Sequence, residues 1–390
     1  MKANVSIMLD LIKYCLFDKE KPLLSYGFSG EDIKCLYTFS KSHDISAIVG
    51  LPLKDAGLLS DDEYSRKFLS EIELSTYRYL QLSAAFTEIS EVLEKEKIPF
   101  LPLKGTVLRK YYPDPSLRTS SDIDVLIRKE DIHRAVKTFT EGYGYKTVII
   151  GDEHDVSLMT PSGVHLELHY KLIEKMPKAE KILDNVWNFA VKNKGSEYQY
   201  HLPSEYFLFY HIVHMARHFI YGGIGVKPVI DLYFIKNGMG VDLEKAYEIL
   251  KKAELYTFTK EIEYLFDVWF SGAPHTEISK EIHRYIMLSG TYGTLNNAIV
   301  TSQIKNGGKF KTLLKRIFLP YNDLKTFYPI LVKHPILYPF YQVKRWFRIL
   351  LFSRKRVKTE VSQSIAVTDE RTEKFSDMLR ALNLKIENNK

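Results

Sequence analysis

Arg118-Thr119-Ser120-Ser121-Asp122-Ile123-Asp124-Val125-Leu126-Ile127 is the stretch whose reading decides the fold. Ile123–Ile127 is apolar and rich in β-branched residues, which predicts a strand. Residues two apart on a strand share a face. Asp122 and Asp124 therefore project together, and Ile123 and Val125 go to the core. Two carboxylates on one face repel and raise each other's pKa. A divalent cation removes that penalty, and oxygen-only ligands favour Mg²⁺ or Mn²⁺. The alternative is a solvated strand end, since an acid-apolar-acid triplet is expected about once by chance in a chain of ordinary composition.

The flanking residues extend this strand into an α/β unit. Ile98–Leu103, with two prolines, reads as an edge strand. Gly105 follows, then a short helix over Thr106–Tyr111 and a turn at Pro113-Asp114-Pro115-Ser116. Glu130–Gly142 reads as an amphipathic helix and Tyr145–Ile150 as a strand. Val156–Met159 and Val164–Leu168 read as a hairpin about Pro161-Ser162-Gly163. In His165-Leu166-Glu167-Leu168-His169 the polar residues share one strand face, opposite the leucines. Lys104-Gly105-Thr106 sits at a strand-to-helix corner, where free amides and the helix dipole cradle phosphate. A glycine corner, a carboxylate pair and a third carboxylate on a neighbouring strand are the parts of a two-metal phosphoryl-transfer site.

Around residues 98–172 the chain reads as helical. Val5–Leu16, Ile33–Ile48 and Tyr64–Leu93 repeat apolar residues every three or four positions. So do Phe207–Phe219, Val229–Lys236, Leu243–Lys252 and Phe258–Phe270. This predicts an α+β chain: a helical region over 1–97, the α/β core over 98–172 and a helical domain over 173–305. A basic aromatic helical region over 306–358 follows, then a polar tail over 359–390 with one short helix near Phe375–Leu384. Apolar residues are 45% of the 390 and charged residues 26%, which supports a real core and excludes a disordered chain. Two cysteines, Cys15 and Cys35, exclude a disulfide framework and a Cys-based zinc site. No targeting peptide or 18-residue apolar run stands out, so the expected setting is cytoplasmic.

The order Lys104-Gly105-Thr106, Asp122-Ile123-Asp124, Glu167 resembles the nucleotidyltransferase superfamily of polymerase-beta type. The wider pattern is similar to the uncharacterised bacterial nucleotidyltransferase family (NTP-transferase type 5), over roughly residues 30–270. It adds Tyr112-Pro113, Glu167-Leu168-His169, and His214-Met215-Ala216-Arg217-His218-Phe219 followed by Gly223-Ile224-Gly225. Where the family has Gly-Ser this chain has Gly105-Thr106. The resemblance implies a small mixed-sheet nucleotidyltransferase core that moves a nucleoside monophosphate from an NTP, with ATP expected, to an acceptor hydroxyl. Pyrophosphate is the other product. It implies Asp122 and Asp124 on the metals and Glu167 completing the acceptor side. Lys104, Gly105, Thr106, Arg118 and Ser121, with Ser120, are then the nucleotide-binding candidates; for Lys104 and Arg118 the alternative is ordinary surface charge. His169 orients Glu167 or the acceptor, or is structural. The competing function is a catalytically inactive relative that binds nucleotide or a partner as a scaffold.

Two features remain. His211, His214, Arg217 and His218 fall within about 120° of helix arc. His214 and His218 either close over nucleotide or acceptor, or pack at a domain interface; a shared zinc lacks a third ligand of motif spacing. Residues 309–358 carry thirteen Lys or Arg against Asp323 alone, which is +12, so the remaining chain is net −5 within a total of +7. Prolines break this stretch and aromatics fill it. It reads as a nucleic-acid surface, as a surface for an anionic membrane at whose inner face the protein would be peripheral, or as packed helices with solvated charges.

Overall fold

The helical periodicity of the N-terminal region becomes four helices in the computed structural model, which describes residues 2–17, 27–150, 155–291, 293–352 and 354–387. They are α1 (Lys2–Leu16), α2 (Gly30–Ser42), α3 (Ser46–Asp55) and α4 (Glu63–Lys95). The single helix expected over Ile33–Ile48 is two. The chain breaks after α2, and Asp44 takes a left-handed backbone with φ 53°. A capping box of Ser29 and Asp32 starts α2. Asp62 starts α4, accepting from the amides of Tyr64 and Ser65 at 2.8 and 3.1 Å. Each such cap is worth about 1 kcal/mol.

The α/β unit begins with β1 (Phe100–Pro102), α5 (Lys104–Leu108), β2 (Asp122–Ile127) and α6 (Ile132–Lys137), which runs on as a π turn to Gly142. Then come β3 (Lys146–Ile150), β4 (Asp155–Met159) and β5 (His165–His169). The strands lie in the order β1-β2-β5-β4-β3. β2 and β5 run parallel, and the other neighbours are antiparallel, so the sheet is mixed and β1 is an edge. One face is the core. Ile123, Val125 and Ile127 of β2 and Leu166 and Leu168 of β5 are buried with Leu82, Ala85, Ile89, Val92 and Leu93 of α4. The repeat of three and four in α4 thus serves one purpose: it supplies an apolar stripe to cover the sheet.

The chain continues through α7 (Pro177–Leu183), α8 (Val186–Phe189), the two-stranded β6 (Val191–Lys192) and β7 (Tyr200–His201), and α9 (Ser204–Tyr221). α10 (Lys227–Gly238), α11 (Leu243–Lys252), α12 (Tyr256–Phe270) and α13 (Glu277–Ser289) follow. Packing divides the chain into two units, residues 1–217 with 224–291, and residues 218–223 with 292–390. The second unit contains α14 (Leu295–Asn306), α15 (Lys309–Ile317), α16 (Tyr321–Phe327), α17 (Ile330–Lys333), α18 (Tyr338–Phe352), α19 (Arg354–Ala366) and α20 (Asp369–Ala381). Where a polar tail is expected, α19 and α20 cover most of the segment. Phe375, Met378, Leu379, Leu382 and Leu384 are buried there, and buried Gln303 of α14 donates to the Ser364 carbonyl at 2.8 Å. α20 is the short helix expected near Phe375–Leu384, and α19 is the addition; few apolar residues, well spaced, suffice to seat a helix. Among the described residues no helix is long and apolar enough to cross a membrane.

Candidate functional site

Strand register builds the site. Parallel pairing of β2 with β5 sets Asp122 beside His165, Asp124 beside Glu167 and Leu126 beside His169. Since Ile123, Val125, Leu166 and Leu168 face the core, Asp122, Asp124, His165, Glu167 and His169 share the opposite face. Antiparallel β4 adds Ser157 opposite Glu167 and Asp155 opposite His169.

At the centre is Asp124, 3% exposed. Its Oδ1 accepts from Lys104 Nζ at 2.7 Å and from His169 Nε2 at 2.8 Å. His169 Nε2 is also 3.3 Å from Glu167 Oε2, and His165 Nδ1 is 3.7 Å from Glu167 Oε1. Burial pushes the Asp124 carboxyl up, but Lys104 and His169 outweigh it and hold it far below the usual carboxylate range. Asp122 goes the other way: burial and the neighbouring Asp124 charge raise it, against Lys104. Burial pulls Lys104 down, and Asp124 more than reverses this. For His169, burial lowers and the bonds to Asp124 and Glu167 raise, with a net rise.

The glycine corner is built by a contact at 105. A Cβ there would stand 3.1 Å from Ser120 Oγ and 3.3 Å from Ser120 Cβ. Lys104, just before it, has φ 43°, a left-handed backbone in a non-glycine residue, of the kind found where function holds strain. Arg109, which the motif reading did not single out, is buried beneath the corner. Its Nε donates to the Gly105 carbonyl at 3.0 Å and its Nη2 to Ser120 Oγ at 2.9 Å. Burial and the nearby Arg118 pull its guanidinium down to about 10. Its spacing of four from Gly105 on a helical turn is the signal that marks it. Thr106 is half-buried and Ser121 exposed at the rim.

Arg118 is not ordinary surface charge: its Nε and Nη2 donate to Asp231 of α10 at 2.6 and 2.8 Å, and its Nη1 to the Thr119 carbonyl at 2.6 Å. The Tyr112 hydroxyl donates to the same carboxylate at 2.7 Å. Thr119 is tied to Asp44 and to Lys227 of α10. The residues before β2 are thus pinned from two distant parts of the chain. Breaking a buried ion pair typically costs about 3–5 kcal/mol, so Arg118→Met should lower the urea midpoint by a corresponding amount. Burial raises the Asp231 carboxyl, but Arg118 and its other partners bring it below its ordinary value. The stability it contributes is present above the unfolded carboxylate pKa of about 4 and is lost as pH falls below that. Acidification should therefore lower the midpoint more in the wild type than in Asp231→Asn.

The histidine helix contributes differently from expectation. His211 donates to the Pro228 carbonyl at 2.8 Å, a structural bond. His214 is half-buried, with its ring 6.1 Å from that of Tyr210, and His218 is exposed. Tyr210 of α9 is buried, and burial, with Asp124, Glu167 and Asp122 nearby, pushes its phenol up against the opposing effect of Lys104. It stands one turn before His214, and that spacing is legible in the sequence.

Asp124, Glu167 and His169 each place one ligand atom within 4.8 Å of the others, the one such group among the described residues. Two carboxylates and an imidazole suit a divalent cation, and Asp122, on the same strand face, adds a further carboxylate beside them. His214 and His218 belong to no such group. A family model described as an uncharacterised nucleotidyltransferase matches residues 29–271, over half the chain and including every residue of the cluster. No curated protein matches the chain.

Proposed function

We propose, because the chain belongs to this family of nucleotidyltransferases, that it moves a nucleoside monophosphate from an NTP, with ATP expected, to an acceptor hydroxyl. The observation that carries the proposal is the β2–β5 register, which sets Asp122 and Asp124 alongside Glu167 and His169. Asp124 and His169, with Asp122 at the rim, would hold the Mg²⁺ or Mn²⁺ that carries the triphosphate, and Glu167 stands beside them on the acceptor side. Such a cation supplies Lewis acidity to the triphosphate oxygens and lowers the pKa of the acceptor hydroxyl. Lys104 adds a fixed positive charge at the corner, and Gly105 lets the chain turn close against Ser120. Arg109 holds that corner rigid through the Gly105 carbonyl. The acceptor oxygen forms a bond to the α-phosphorus while the bond to the bridging oxygen breaks and pyrophosphate leaves with the electron pair. Glu167, whose side chain keeps an open side, takes the acceptor proton.

Incubation with α-labelled ATP, Mg²⁺ and a panel of hydroxyl-bearing acceptors should give label transfer with one pyrophosphate per label, and none in EDTA. Release of inorganic phosphate in place of pyrophosphate would contradict it. Gly105→Ala should lower kcat/KM about tenfold or more, because a shift of a few tenths of an ångström at Ser120 displaces the groups that position the reactants. Steady-state kinetics checks this. The second reading, an inactive scaffold, draws on one observation: the Lys104 ammonium and His169 already occupy one oxygen of Asp124. Nucleotide binding without any transfer or pyrophosphate release would favour it.

A further inference from the structure

α18 is an inside-out helix. Tyr338, Gln342, Arg345 and Trp346 turn their polar atoms inward. The Tyr338 hydroxyl donates to the Leu319 carbonyl at 2.6 Å, Trp346 Nε1 to the Ile317 carbonyl at 2.7 Å and Arg345 Nη2 to the Arg316 carbonyl at 2.8 Å. The opposite arc carries Phe340, Val343, Phe347 and Leu351, all exposed, Leu351 by 70%. α15 repeats the inversion. Thr312 is buried and bonded to the Gly308 carbonyl at 2.9 Å, while Phe310, Leu314 and Ile317 are exposed. Phe318, Phe327, Ile330, Val332 and Ile336, which lie between α15 and α18 in the chain, are exposed as well, Ile336 by 88%. Surface helices of soluble proteins bury their apolar face, and exposed apolar patches of this extent mark interaction sites.

Charge selects the partner. Residues 309–352 hold nine Lys or Arg against Asp323 alone. Lys344 and Arg348 border the α18 row and Lys311 and Lys315 lie beside the α15 row, all four exposed. A second copy of this face would meet it with like charge, and seven of the twelve exposed apolar side chains are Leu, Ile or Val, which offer nucleic-acid bases no stacking surface. Apolar side chains with cations at their border match the acyl–headgroup boundary of an anionic bilayer. We propose that α15–α18 dock the protein on an anionic membrane surface, without crossing it, by inserting these rows between lipid headgroups. The basic run Arg354-Lys355-Arg356 has side chains outside the described residues and is not needed for the argument.

Flotation of the full-length protein with vesicles is the test, using phosphatidylcholine alone and equal parts phosphatidylcholine and phosphatidylglycerol. The protein should float with the anionic vesicles and not the neutral ones, with binding weakened by salt. Phe340→Ser, Phe347→Ser and Leu351→Ser together should weaken it at least about tenfold. Lys344→Gln with Arg348→Gln should weaken it roughly twenty-five-fold, since each cation near the surface is worth about fivefold. Both variants change exposed side chains, and unchanged circular dichroism and melting certify the fold. Equal flotation with neutral vesicles would overturn the proposal, as would full binding by the folded triple-serine variant. So would a dimer that the serines dissociate, or oligonucleotide binding lost in these variants with no flotation by the wild type.

Discussion

Asp124→Asn is expected to lower nucleotidyl transfer by at least about a thousandfold, roughly 4 kcal/mol of transition-state stabilisation. The substitution keeps the size of the side chain and removes its charge. Asp124 is the carboxylate on which the site converges, with Lys104 and His169 both on Oδ1. It stays ionised because these partners override its burial, which leaves a negative charge to offer a cation. The same change also acts on the fold. It leaves the Lys104 ammonium without its carboxylate, and breaking a buried pair in this way costs about 3–5 kcal/mol. The two effects separate in a second variant. Lys104→Met added to Asp124→Asn should recover most of the stability, read by urea unfolding, and none of the transfer, read by pyrophosphate release. Recovery of transfer with stability would mean that Asp124 serves the fold alone.

Glu167→Gln is expected to divide binding from chemistry. Glu167 neighbours Asp124 across the parallel pair, yet its side chain is about a quarter exposed and faces His165 and His169. In the proposed mechanism it receives the acceptor proton, a role typically worth about a hundredfold to ten-thousandfold. The turnover number should fall within that range, while the dissociation constant of a non-hydrolysable ATP analogue changes less than about fivefold. Rapid-quench kinetics beside equilibrium binding makes the comparison. A parallel loss of both would move Glu167 from the acceptor side to the nucleotide side of the site.

The strands were legible because their signal is local. Alternation in Asp122–Ile127 and His165–His169 tells which side chains meet the core before the sheet order is known, and α4 announces its buried stripe over eight turns. Long-range partners leave no such trace. Nothing near Arg118 in sequence points to Asp231, 113 positions away, so its burial could not be told from surface charge. The break of Ile33–Ile48 depends on Asp44, whose carboxylate meets Thr119 and Lys227, and those contacts are again distant. His169 was legible as a member of the polar face, but its place on Asp124 follows from the parallel register, which period-two alternation does not specify. Arg109 and Tyr210 were missed for a different reason. Each is marked by helical spacing from a residue already singled out, and neither belongs to the carboxylate pattern that drew attention.

The central claim is that the carboxylate–histidine face of β2 and β5 binds an NTP through a divalent cation. Isothermal titration with a non-hydrolysable ATP analogue, in Mg²⁺, in Mn²⁺ and in EDTA, tests it most directly. The wild type and a folded Asp122→Ala/Asp124→Asn variant are compared. Binding that requires metal and disappears in the variant is the predicted result. Equal affinity in EDTA, undiminished binding by the variant, or no binding under any condition would contradict the claim.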